Sequence, residues 1–64
     1  MVSVGDTVLS FDNDTGKMSV LMTDGICEWT GEPSALCRCL EPHPHGYEVG
    51  YEGWWRVKEL KIVK

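Results

Sequence analysis

The stretch CRCLEPHPH, residues 37–45, holds two cysteines and two histidines in nine positions. With Cys27, the set Cys27, Cys37, Cys39, His43 and His45 has enough donors for a tetrahedral zinc site. The spacing argues against it. Structural zinc sites draw their ligands from C-x2–4-C and H-x3–5-H pairs, which let both members wrap one ion. Here a single residue separates each pair. On a strand, Cys37 and Cys39 would point to the same face about 6.5–7 Å apart, awkward for one metal and near the limit for a disulfide. The spacing therefore predicts a strand whose Ala35, Cys37 and Cys39 face the core, where a free cysteine behaves as a small hydrophobe. His43 and His45 then fall in a solvated, proline-bent loop. No cofactor is expected.

Other chemistry finds less support. Asp12 and Asp14 in DNDTG resemble the start of a calcium loop, but an EF-hand needs glycine at its sixth position and glutamate at its twelfth. Counted from Asp12, those positions hold Lys17 and Thr23. Nucleophilic catalysis needs a nucleophile beside a positioned base, and both histidines flank Pro44 with no third group to orient them. No glycine-rich phosphate loop is present. An enzyme is not expected.

The elements that must position these residues read as short strands between turn signals, with no helical apolar stripe. The segments are 6–11, 17–23, 26–29, 35–40, 47–52, 54–57 and 58–63, the last after one short helical turn. Met18, Val20 and Met22 share one face of the second strand. Asp24-Gly25 signals a two-residue hairpin. Pro42 and Pro44 make 41–46 a loop. Tyr47, Val49 and Tyr51 alternate with Glu48, Gly50 and Glu52, which sends the first three inward. Val4, Val8, Val20, Val49 and Leu60 are expected in the core, and Gly53 is expected to bend the chain. Five or six short antiparallel strands in one domain spanning residues 1–64 make an all-β chain, best closed as a small SH3-like barrel.

VGDTV (4–8), GKMSV (16–20) and CEW (27–29), in that order, resemble the YodC-like small bacterial proteins over residues 4–31. The resemblance implies a bacterial, SH3-like protein and carries over no active site, since that family's function is uncharacterised. Its turn is typically Ser-Gly-Gly-Pro where this chain has DNDTG, and more than thirty residues follow the Cys-x-Trp segment here.

The net charge of −4 is unevenly spread. Residues 1–55 set Lys17 and Arg38 against nine acids; residues 56–64 set Arg56, Lys58, Lys61 and Lys64 against Glu59. Such a surface repels a phosphate backbone over most of its extent. The N-terminal residues lack a basic segment followed by an apolar one, no stretch approaches the length of a membrane span, and three cysteines suit a reducing compartment. These features predict a cytoplasmic protein without membrane contact.

Three tryptophans and two tyrosines are many for 64 residues. Adjacent strand residues face opposite ways, so only one of Trp54 and Trp55 can enter the core. Val57 shares the face of Trp55, and Arg56 that of Trp54. Arginine avoids the interior, so Trp54 is predicted to be the exposed one. A partner-binding patch of Trp54, Arg56, Glu52 and Glu48 follows, suited to a basic or proline-rich protein or peptide. The alternative is nucleic-acid binding through the basic C-terminal strand with the same tryptophan for stacking. Homodimerisation through the exposed aromatics is a third option.

Overall fold

The structure is a computed structural model describing residues 2–10 and 13–63. It is all-β. Five strands, β1 (Thr7–Ser10), β2 (Met18–Ile26), β3 (Pro33–Cys39), β4 (Glu52–Arg56) and β5 (Leu60–Ile62), form one antiparallel sheet in the order β4-β3-β2-β1-β5. A single 3-10 turn, Val57–Glu59, joins β4 to β5 where one helical turn is expected. The sheet is open, ending in β4 and β5, and is consistent with a small barrel-like fold. Among the described residues no helix is long and apolar enough to cross a membrane.

Alternation builds the core. Ala35, Cys37 and Cys39 of β3 point inward together with Val8, Met18, Val20 and Leu60. Trp55 and Val57 pack against this cluster. Burial pushes the Cys37 thiol up to about 11, because a thiolate there would lose its hydration. All three cysteines are free thiols.

Several expectations need correction. Val4 is 64% exposed and Val49 60% exposed, so neither is core. Val4 precedes β1 in a turn, where Gly5 N–H donates to the Val20 carbonyl and holds the backbone rather than the side chain. Met22 is also exposed. Register shifts between Val20 and Met22 and between Met22 and Gly25 transfer the apolar alternation to the outer face.

Asp24-Gly25 makes no hairpin. β2 runs through it to Ile26, and the reversal lies at 27–32, where Gly31 N–H donates to the Cys27 carbonyl and Cys27 N–H to the Glu32 carbonyl, both at 2.7 Å. Residues 26–29 are thus a strand end and a turn rather than a strand. Residues 47–51 are also not a strand. Gly46 and Gly50 take φ of 97° and 92°, left-handed values that break an extended run. Tyr47 and Tyr51 consequently sit half-exposed rather than in the core. Gly53 makes no bend: it lies within β4, opposite Cys37. Phe11 and Asp12, assigned to the first strand and to the loop after it, lie outside the described residues.

Candidate functional site

The register of the central strands sets out the exposed face. Across β2, β3 and β4, Met22 lies beside Leu36 and Leu36 beside Trp54, giving an apolar row on the outer surface. One side of it carries Arg38 opposite Glu52, joined by Arg38 Nε and Nη2 donating to Glu52 Oε2 at 3.0 and 2.6 Å. The other side carries Gly25, Ser34 and Arg56. Trp54 is 52% exposed, while Trp55, opposite Ala35, turns to the core. The tryptophan assignment made from Arg56 and Val57 matches this placement.

Gly25 explains how Trp54 is held. A Cβ there would clash with the Cζ3 and Cε3 atoms of the Trp54 six-membered ring. The indole therefore reaches across β3 and packs against Gly25, a position that has no side chain of its own. Beyond it opens a concavity of about 770 Å³, bounded by the 26–30 segment on one side and Trp54, Trp55, Arg56 and Glu59 on the other. Trp29, at the tip of the turn, is 95% exposed. Two tryptophans thus flank one opening, and Ile26 adds further exposed apolar surface.

The charges at the rim are mutually satisfied. Arg56 Nε donates to Glu59 Oε1 at 2.5 Å, and Arg56 Nη1 lies 3.7 Å from Glu32 Oε1. Lys58 Nζ reaches Glu32 Oε2 at 2.7 Å. Lys58, then the Thr30 hydroxyl, holds the Glu32 carboxyl below its ordinary value. The Cys27 thiol is likewise lowered, first by the Thr30 hydroxyl, then by the Thr30 and Trp29 amides, with a smaller contribution from the Arg56 charge. Two of the four basic side chains of the C-terminal segment are therefore paired with acids rather than presented as a phosphate footprint. Lys64 lies outside the described residues.

The structure brings Trp54 and Arg56 to one concavity. Glu52 lies on the same face, engaged with Arg38. Glu48 is elsewhere: it lines a separate, shallow concavity with Tyr47, Val49 and Tyr51. The acids beside Trp54 are instead Glu28 and Glu59, with Glu32 bridging to Arg56. Residues 26–30 were missed because their place in the site depends on the reversal at 27–32, which the Asp24-Gly25 signal obscured.

The residues of the metal question are dispersed. Cys37 and Cys39 are in the core, Cys27 is in the turn, and among the described residues no group of three His, Cys, Asp or Glu could hold an ion. His45 is exposed, but His43 is only 4% exposed, which corrects the expectation of a solvated pair. The His43 ring lies 5.3 Å from Tyr47 and 5.9 Å from Trp55 between centroids. Tyr47 in turn stacks on Tyr51 at 4.4 Å. His43 Nδ1 accepts the His45 backbone N–H at 3.1 Å, which leaves Nε2 carrying the proton, and Nε2 is buried with no partner among the described residues. Burial, and then the neighbouring His45, lowers the His43 pKa from its ordinary value. The loop is tied down by Glu41, whose carboxylate accepts the Gly16 and Lys17 amides at 2.8 and 3.1 Å.

Compared with models of protein families, with curated proteins and with solved structures, the chain gives no match.

Proposed function

We propose that the protein is a non-enzymatic interaction module that binds a basic, proline-containing peptide in the concavity between Trp29 and Trp54. The observation that carries this reading is the pair of exposed indoles flanking one opening, with Trp54 packed against Gly25. Trp54, already packed against Gly25, loses little conformational entropy on binding, and aromatic-lined grooves receive extended proline-rich segments, whose own entropy is already low. Glu28 and the acidic net charge favour a cationic ligand. The rim ion pairs hold Arg56 and Lys58 at the edge of the opening.

The test is a fluorescence titration with synthetic proline-rich peptides that do or do not carry Lys and Arg. Binding of the basic set, weakened about tenfold or more by Trp29→Ala and by Trp54→Ala, supports the reading, since aromatic anchors dominate such contacts. Binding of single-stranded DNA instead, with a steep loss as salt rises, would replace it with the nucleic-acid alternative.

A further inference from the structure

Two strands end the sheet, and they differ in how their free edges are protected. β5 is three residues long and carries Lys61 at its centre. Shortness and lysine both discourage pairing with another chain. β4 is five residues long, Glu52-Gly53-Trp54-Trp55-Arg56, with neither lysine nor proline.

Its backbone groups point in a fixed pattern. Cys39 N–H donates to the Tyr51 carbonyl at 2.9 Å, which makes Cys39 and Tyr51 a hydrogen-bonded position of the β3–β4 ladder. Alternation then turns the backbone groups of Gly53 and Trp55 toward β3, opposite Cys37 and Ala35. Those of Glu52 and Trp54 and the N–H of Arg56 face away from β3, where no strand lies among the described residues. The open edge therefore presents Trp54 at its centre with donor and acceptor both available.

The sequence of this edge is complementary to itself. Run antiparallel against a second copy about a two-fold axis at Trp54, it sets Glu52 opposite Arg56 and Arg56 opposite Glu52. Gly53 falls opposite Trp55, a pairing of the smallest residue with the largest. Trp54 meets Trp54. The Trp54 backbone exchanges both hydrogen bonds with its symmetry mate, and each Arg56 N–H reaches a Glu52 carbonyl. A two-fold axis perpendicular to the sheet keeps both outer faces on one side. The Met22–Leu36–Trp54 row then continues across the joint. The Arg38–Glu52 pair continues too, as an alternation of Arg38, Glu52, then Arg56 and Glu59 of the second copy.

We propose that the protein forms a symmetric dimer by antiparallel pairing of β4 with β4 of a second copy, giving one continuous sheet. The inference is independent of the peptide reading: it uses the strand edge and its charge order, whereas that reading uses the concavity beside the 27–32 turn.

The experiment is sedimentation equilibrium on the wild type, Glu52→Arg, Arg56→Glu and an equimolar mixture of the two variants, over about 10 µM to 1 mM, the range of weak association. Each variant alone places like charges opposite each other at both ends of the joint. The mixture restores opposite charges at both. The expected result is a dimeric wild type, each variant alone weakened at least tenfold, and a mixture that recovers the dimer. A wild type that stays monomeric overturns the proposal. So does a dimer that either charge reversal leaves intact, or variants that do not rescue each other. Amide exchange on the wild type gives a reading that needs no variant: the Trp54 N–H slows with concentration if β4 pairs, and exchange there that is unchanged while the mass doubles overturns the proposal.

Discussion

His43 makes stability depend on pH in a way that one substitution should abolish. In the folded protein its ring is buried against Tyr47 and Trp55, Nδ1 accepts the His45 amide, and Nε2–H has no partner among the described residues. A proton added to Nδ1 would face the His45 N–H donor and carry a charge into a buried site, so the folded form resists it and the His43 pKa lies below its ordinary 6.5. The unfolded chain takes up the proton more readily. Stability from this residue is therefore full above about pH 6.5 and falls as pH drops below it, with a slope of at most about 1.4 kcal/mol per pH unit for one proton. His43→Leu keeps a similar volume and cannot be protonated. At pH 7.5 it gains the roughly 1–3 kcal/mol that an unpartnered buried donor costs and loses the aromatic contacts, worth about 0.5–1.5 kcal/mol, for a net change near zero or slightly stabilising. The exposed His45 amide can turn to water. Urea unfolding followed by tryptophan fluorescence at pH 7.5, 6.5, 5.5 and 5.0 measures the difference. The gap between variant and wild type should widen in the variant's favour below pH 6.5. The carboxylates Glu32 and Glu41, whose pKa values are lowered from 4.5, lose their contribution only at more acidic pH, and do so in both proteins. Curves that stay parallel from pH 7.5 to 5.0 would refute the account.

Two further outcomes are expected. Trp55→Ala should cost about 3 kcal/mol, the lower end for a large core aromatic because Trp55 is only partly buried, and Trp54→Ala should cost less; thermal melts that rank the two in the opposite order would contradict the face assignment. With a disulfide reagent at pH 8, Cys27 should label first, since Thr30 and the turn amides favour its thiolate, while Cys37 and Cys39 should label only on unfolding; mass spectrometry of the labelled peptides identifies the order.

The parts of the fold legible in the sequence were those where a strand keeps its own alternation. Ala35, Cys37 and Cys39 alternate into the core along a β3 that is paired on both sides, and Trp54 and Trp55 could be told apart because Arg56 continues β4 and Val57, the first residue of the 3-10 turn, still packs against the core. The misreadings occur where tertiary contacts override local pattern. Asp24-Gly25 has the composition of a hairpin, but Gly25 is needed without a side chain so that Trp54 can lie on it. Tyr47, Val49 and Tyr51 alternate as a strand would, yet the left-handed Gly46 and Gly50 fold that segment into a loop whose tyrosines stack on each other. His43 looked solvated because it lies between two prolines; the Glu41 clamp and its aromatic neighbours draw it inside. Half of the candidate site, the 26–30 segment, depends on these long-range contacts and carries no local signal.

The pairing of β1 with β5 also has a mechanical meaning. Val8 lies opposite Ile62 and Ser10 opposite Leu60, so the chain leading into β1 and the chain leaving β5 depart from the same end of the pair. Tension applied through those two segments acts across the strands rather than along them. The hydrogen bonds then break one after another from the Val63–Thr7 contact inward, instead of sharing the load. Such a sheet should peel at low force, with β5 the first strand to leave and the β2–β3 pair the last to yield.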